Sequence, residues 1–114
     1  TQAVALGAFK ERAPIPSEVD GYRIHPLISF NPERAFETYY LEIEPGVLFE
    51  AEPHQGHAEE HVFVMQGQIT VSVAGEAFLV GKEHFISFQA DCVHGYQNFG
   101  TDMAVAIMTI SYMP

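Results

Sequence analysis

Alternation of apolar and polar residues is the main structural signal in this sequence. In Gln68–Ala74, the apolar side chains of Ile69, Val71 and Val73 alternate with polar ones. A repeat of two residues is the period of a β-strand, whose successive side chains point to opposite faces of a sheet. Phe36–Glu44 alternates in the same way. Both segments predict strands with one buried face.

Shorter segments rich in β-branched and aromatic residues predict further strands. Turn residues separate them, and Ala74-Gly75-Glu76 predicts a hairpin turn. Strands that recur every ~8–12 residues are typical of an all-β sandwich or barrel, here expected to consist of two antiparallel sheets. The additional predicted strands are Tyr22–Ile28, Val47–Glu50, His61–Gln66, Ala77–Val80, Phe85–Phe88, Gly95–Asn98 and Met103–Tyr112.

The chain has 114 residues, which is enough for one domain. Its first twenty residues differ from the rest. Residues 1–12 have some helical tendency, and the two prolines in Ala13–Ser17 end any helix. We therefore predict a linker or N-terminal arm over residues 1–20 and a β-barrel domain over residues 21–114.

One predicted strand is apolar on both faces. In Glu60–Gln66, Val62 and Val64 alternate with Phe63 and Met65. A strand with two apolar faces is covered on both sides, and in a small β protein the second cover is often a partner subunit. We predict a homodimer; the alternative is that the N-terminal arm provides the cover.

The charge balance excludes some partners. The chain carries 5 Lys and Arg against 15 Asp and Glu, a formal net charge of −10. Such a chain repels phosphate backbones and anionic membrane surfaces, so we expect no nucleic acid bound by this chain alone and no membrane association. The sequence shows no apolar run long enough to span a membrane and no signal peptide, and it contains a single cysteine, Cys92. These features favour a cytoplasmic location.

Histidines are concentrated in one part of the chain, because five of the six lie between residues 54 and 94. Neutral imidazoles together with a carboxylate are the usual ligands of Zn, Fe, Mn or Ni. In a β-barrel, side chains from neighbouring strands can point inward at one place. The alternative is a pocket in which these side chains bond to each other and to water. An inward Glu60 needs a cation or a donor beside it in either case.

The sequence resembles the cupin family of small double-stranded β-helix (jelly-roll) barrels. Its first motif is matched by Pro45-Gly46, His54, Glu60 and Gly67, and its second by His94 and Asn98. The resemblance implies one divalent metal ion held by His54, Glu60 and His94. It also implies a ligand pocket formed by His54, Glu60, Val62, His94 and Tyr96. Gly56 stands where the family pattern has a further histidine, so the usual four-ligand set is incomplete, and His57 is the candidate replacement.

A narrower resemblance concerns His54–Gly67, the segment His94–Gly100 and the final residues 110–114. These look like the C-terminal cupin domain of XRE-type helix-turn-helix regulators of the sulfur-utilisation type. The resemblance implies a domain that binds a small-molecule effector in a regulator whose DNA-binding domain is absent from this chain. Two alternatives remain: a small metal-dependent enzyme, such as a dioxygenase or an isomerase, and a structural dimerisation module. We assign no catalytic residue and favour a non-enzymatic role.

Overall fold

The computed structural model describes residues 3–113. Thr1 and Gln2 of the predicted arm and Pro114 of the predicted barrel lie outside the described residues. Within residues 3–113 the chain forms nine β-strands and one turn of 3-10 helix, Phe9–Glu11. The strands are β1 (Tyr22–Ile28), β2 (Phe36–Ile43), β3 (Leu48–Ala51), β4 (His57–Gln66), β5 (Ile69–Val73), β6 (Glu76–Val80), β7 (Phe85–Gln89), β8 (His94–Gln97) and β9 (Ala104–Met113).

The strands form two antiparallel sheets, which confirms the predicted all-β barrel. One sheet has the order β1-β2-β9-β4-β7, and the other has the order β3-β8-β5-β6. Neighbours in the larger sheet come from distant parts of the chain, as when β9 pairs with both β2 and β4. The chain thus crosses repeatedly between the sheets, as in a jelly roll.

The core lies between the two sheets, on the face that the alternation predicts. Along β2, the side chains of Glu37, Tyr39, Leu41 and Ile43 are buried, while the residues between them are more exposed. Ile69 and Val71 of β5 are fully buried and face them from the opposite sheet. Burial of this apolar surface is the main source of stability for such a domain.

The connection after β8 is organised by Asn98, the last residue of the second sequence motif. Asn98 is completely buried, and its side-chain nitrogen donates to the carbonyl oxygens of Ile43 and Asp102, at 2.8 Å each. Its side-chain oxygen accepts from the backbone nitrogen of Gly100 at 2.8 Å. This asparagine therefore satisfies three backbone groups that the loop would otherwise leave unpaired.

Several strand bounds shift by one residue from the sequence-based expectation, and two differences are larger. Strand β4 begins at His57 rather than His61, because its first residues pair with the end of β9, including His57 with Met113. The helical tendency of residues 1–12 gives only the 3-10 turn, since so short a segment forms a marginal helix without tertiary support.

The arm contacts the barrel through Phe9, through Ile15 and through Val19, which packs against the core. Phe9 stacks on Tyr40 with ring centroids 4.1 Å apart, and it also contacts the ring of His25. Further along, Ile15 forms an isolated antiparallel bridge with Ile24, and its backbone nitrogen donates to the Ile24 carbonyl at 2.8 Å. The arm thus lies along β1 and the adjacent part of β2.

Candidate functional site

Three side chains of the predicted metal set lie together inside the barrel. Glu60 points inward from β4 with 2% of its surface exposed, His94 points inward from the start of β8 with 1% exposed, and His54 lies in the loop before β4. Each of the three residues offers one atom that could ligate a metal, and these three atoms lie within 4.8 Å of one another. The backbone nitrogen of His54 donates to the carbonyl of Ala90 at 2.9 Å, which fixes the loop beside the barrel.

Both histidine rings direct the same nitrogen at the same carboxylate oxygen. Nε2 of His94 lies 2.7 Å from Oε2 of Glu60, and Nε2 of His54 lies 2.9 Å from that oxygen. Nδ1 of His94 is 2.8 Å from the Cys92 carbonyl, which can only accept, so Nδ1 carries a proton. This hydrogen bond leaves Nε2 as the nitrogen that could ligate a metal. In metal sites, the second ring nitrogen of a histidine ligand commonly donates to a backbone carbonyl in the same way.

The fourth member of the cluster is Tyr96, whose hydroxyl donates to Oε1 of Glu60 in a short hydrogen bond. Tyr96 is 1% exposed. Burial, and then the negative charge of Glu60, raises the pKa of Tyr96 well above its usual value, so this hydroxyl remains a donor at neutral pH. Tyr96 thus holds one carboxylate oxygen while the other faces the two imidazoles.

Hydrogen bonds within the cluster shift the pKa of Glu60 and the pKa of His94 in opposite directions. Burial alone would raise the pKa of Glu60, but hydrogen bonds from His94 and Tyr96 and the charge of His94 lower it below its usual value. Burial alone would lower the pKa of His94, but its bond to Glu60 and its bond to the Cys92 carbonyl raise it overall. Both oxygens of the buried carboxylate therefore have hydrogen-bonding partners, imidazole nitrogens for Oε2 and the Tyr96 hydroxyl for Oε1, as burial of a carboxylate demands.

A cavity of about 180 Å³ opens beside this cluster. His54, Glu60, His94 and Tyr96 line it, together with apolar side chains from both sheets. The apolar and aromatic lining residues include Ile15, Tyr22, Ile24, Tyr39, Phe49 and Met108. The arrangement is a small, mainly apolar pocket with a few convergent polar groups, the common form of a small-molecule site.

Two of the sequence-derived assignments fall outside this cluster. Val62 is 1% exposed but is not among the residues that line the cavity. It lies two residues beyond Glu60 on β4, about 7 Å further along the strand, where the barrel is filled by core side chains. His57 is exposed, lies at the start of β4 with the outward-facing residues, and is not part of the metal-compatible group.

Sequence reasoning missed several contributors. Glu37 lines the cavity, and its position two residues before Tyr39 on an alternating strand was a usable signal. Ile15 also lines it, although it lies in the segment interpreted as a linker, and no local pattern indicates that role. His25, for which the sequence shows no partner, lies 2.8 Å from the Glu42 carboxylate on the neighbouring strand.

Fold and site together define a small β-barrel with an internal binding pocket. A cupin domain model matches residues 39–110 of this chain, and the chain belongs to the cupin family. In the described residues, no helix is long and apolar enough to cross a membrane.

The similar proteins include transcriptional regulators. Over 77 residues the chain is 32% identical to the HTH-type transcriptional regulator SutR of Escherichia coli strain K12, a match that covers 68% of this chain and 43% of SutR. A solved HTH_3 family transcriptional regulator from Vibrio cholerae superposes with a TM-score of 0.76 at 21% identity, covering 82% of this chain and 52% of that one. The chain therefore spans about half the length of each of these regulators.

A second similar solved structure contains only the domain. It is the Cupin_2 domain of an XRE family transcriptional regulator from Enterobacter cloacae, with a TM-score of 0.75 and 24% identity. The match covers 83% of this chain and 99% of that domain. The resemblance to cupin domains of XRE-type regulators, inferred from the sequence motifs, is confirmed.

Proposed function

We propose that this chain is the effector-binding domain of a cytoplasmic transcriptional regulator, and that its pocket holds a small molecule beside one divalent metal ion. The observation that carries the proposal is the pocket itself, in which two imidazoles and a carboxylate converge at the wall of an apolar cavity. Similarity to cupin domains of helix-turn-helix regulators supports a sensing role. Given its net charge of −10, we expect the chain to leave DNA binding to another domain.

His54, Glu60 and His94 fit a divalent metal. Two neutral imidazoles and one carboxylate form the two-His-one-carboxylate ligand set, which leaves coordination positions free. When bound, such an ion supplies a Lewis-acid centre that an effector could ligate directly. The same ligand set supports the alternative of a metal-dependent enzyme, although the similarity to regulators favours sensing.

The position of Ile15 suggests how binding could be transmitted. Ile15 lines the pocket and belongs to the arm, which would join the barrel to a preceding DNA-binding domain. An effector that contacts Ile15 would bind the two arrangements of the arm, docked and undocked, with different affinities. Differential affinity of this kind is the thermodynamic requirement for a ligand to shift a conformational equilibrium.

We further propose that the domain acts as a homodimer. Phe63 pairs in register with Phe85 on β7 and with Ile107 on β9, and on the outer face of the sheet Phe63 is 43% and Phe85 is 75% exposed. The arm contacts Tyr40, at the other end of this row of residues, so it does not provide the cover considered in the sequence analysis. The shallow depression around Phe63 has no carboxylate among its described lining residues, which suits contact between two acidic copies.

Metal binding is tested with a matched pair of histidine variants. The side chains of His54 and His61 are 31% and 39% exposed, and each ring makes one side-chain hydrogen bond of 2.9 Å, to Glu60 and Ser87 respectively. The purified chain is loaded with Zn, Mn, Ni or Fe(II), dialysed, and its metal content measured by mass spectrometry. We expect about one ion per chain, at least tenfold weaker retention in His54→Gln, and unchanged retention in His61→Gln. Equal retention in both variants would place the metal elsewhere.

Effector binding is tested on the same preparations. A library of small metabolites of different charge is screened by thermal shift, and hydrogen exchange at the Ile15 amide is followed for each compound that binds. We expect binders to change the exchange of this amide, because its hydrogen bond to Ile24 is at the rim of the pocket. Compounds that bind without affecting Ile15 would leave a binding domain but remove the proposed route of transmission.

A further inference from the structure

Glu37 is a second buried carboxylate in the pocket, separate from the metal-compatible cluster. It points inward from β2, is 7% exposed and lines the cavity. Glu37 and Glu60 are both register partners of Ile110, so the three residues form one row across β2, β9 and β4. Adjacent strands are ~4.8 Å apart, which places the backbones of the two glutamates about 10 Å apart on either side of Ile110.

The two carboxylates have different surroundings. Glu60 faces two imidazoles and a tyrosine hydroxyl. Glu37 accepts one side-chain hydrogen bond, from the hydroxyl of Tyr112 to Oε1 at 2.8 Å, and forms no ion pair with any described residue. None of the described residues that line the cavity is Lys or Arg. No described basic side chain therefore pairs with this buried carboxylate, and burying an ionised carboxylate without a partner charge is costly in general.

The hydroxyls of Tyr39 and Tyr112 stay protonated beside Glu37 at neutral pH. Burial, and then the charge of Glu37, raises the pKa of Tyr39 to about 12. Burial together with the hydrogen bond to Glu37 raises the pKa of Tyr112 as well. Hydroxyl dipoles lower the cost of burying the carboxylate, but they do not neutralise it.

We propose that Glu37 is the recognition site for a cationic group, and that the pocket binds a small primary amine. The ammonium group would pair with Glu37 while the carbon chain lies over Ile110 and Met108 towards the His54–Glu60–His94 cluster. This assignment rests on the proposed function, because it specifies the charge class of the effector. The cavity of about 180 Å³ is smaller than most ligand pockets, which favours a ligand of a few carbon atoms.

The charge class separates three ligands of similar size. At the Glu37 end of the pocket, a carboxylate group would meet Glu37 without any Lys or Arg of the described lining to offset the repulsion. An alcohol could donate one hydrogen bond to Glu37 but would leave its charge uncompensated. An ammonium group supplies three donors and the opposite charge.

The test is calorimetric titration at pH 7 of the metal-free chain and of the Zn-treated chain with n-butylamine, n-butanol and butyrate. The three ligands are compared on the metal-free chain, where no ion can ligate them. We expect the amine to bind at least tenfold more tightly than the alcohol, and we expect added butyrate not to compete with the amine for the pocket. Glu37→Gln retains an oxygen that can accept from Tyr112, so it should fold. It should weaken the amine at least tenfold while changing alcohol binding by less than about twofold. Glu59→Gln, which removes the same charge from the outer face of β4, should change neither.

Three outcomes would overturn the cation site: alcohol or acid binding as tightly as amine, amine affinity unchanged in Glu37→Gln, or no binding of any probe. Metal content is measured on the same samples. If metal is retained and the alcohol or the acid binds better than the amine, the cation site is wrong and effector binding stands. If amine binding depends on Glu37 but no metal is retained, the cation site stands and the metal proposal is wrong.

Discussion

Replacing Gly67, a glycine of the first sequence motif, with alanine measures how much stability a side chain costs there, and the same replacement at Gly56 is the control. Both residues have φ of +73°, a left-handed conformation that L side chains rarely adopt. A Cβ added at Gly67 would lie 2.8 Å from the carbonyl oxygen of Met103 and 3.1 Å from the Cα of Ala104, both backbone atoms. A Cβ added at Gly56 would meet no atom within 4 Å. The two positions thus share the same φ strain and differ in steric contact.

The magnitudes follow from these two contributions. Forcing alanine into the left-handed region costs about 1–2 kcal/mol, offset by about 0.4–1 kcal/mol because alanine restricts the unfolded chain. Gly56→Ala should therefore lower the free energy of unfolding by about 1 kcal/mol. Gly67→Ala adds an overpacking cost of about 1–3 kcal/mol, since backbone of the β8–β9 connection must move.

Urea unfolding followed by circular dichroism measures both variants against the parent chain. Each kcal/mol lost should also lower Tm by about 4–8 °C in a domain of this size. We expect Gly67→Ala to be less stable than Gly56→Ala by about 1–3 kcal/mol. Equal losses of unfolding free energy would show that conformational strain alone explains the need for glycine at position 67. A larger loss in Gly56→Ala would refute the reasoning from contact distances.

Two further predictions concern the surface of the barrel. Burial alone would raise the pKa of Glu42, but hydrogen bonds from His25 and Arg23 lower it overall. The parent chain should therefore be more stable than Glu42→Gln by about 1 kcal/mol above pH 5, and this difference should vanish as the pH falls through the lowered pKa of Glu42. Urea unfolding midpoints at pH 7, 5 and 3 measure the difference. A stability difference that does not change with pH would contradict the prediction. Light scattering should report a dimer for the parent chain and a weakened dimer for Phe63→Glu. The control Phe99→Glu introduces the same charge outside the sheet face around Phe63 and should remain dimeric. A monomeric parent chain would refute the dimer proposal.

The larger part of the fold follows from local pattern. Alternation determines which side chains of β2 and β5 are buried, and the burial of Tyr39, Leu41, Ile69 and Val71 agrees with it. Strand pairing is a different matter, because β9 lies between β2 and β4 although 60 residues separate Ile43 from Ala104 in numbering order. Nothing in the alternation specifies that register, which depends on the fit of the whole core.

The candidate site also has features that the sequence predicts and features that it does not. The inward direction of Glu60 follows from strand parity, and the resemblance to cupins adds His54 and His94. The hydrogen bond between Nδ1 of His94 and the Cys92 carbonyl depends on the conformation of a turn, which no periodicity reveals. Ile15 reaches the pocket through a single bridge to Ile24, so its role depends on tertiary placement alone.

The segment that borders the pocket is also weakly attached. In the part of the arm before Val19, which packs against the core, the described contacts with the barrel centre on the stacking of Phe9 on Tyr40 and on the backbone bond of Ile15. Few buried contacts mean a small free energy of local opening, so a ligand with modest preference for one arrangement can shift this equilibrium. The strands of the core offer no such element, because Leu41 and Val64 are completely buried and tightly packed. Under the proposed sensing function, the arm is therefore the element through which a signal from the cavity would leave the barrel.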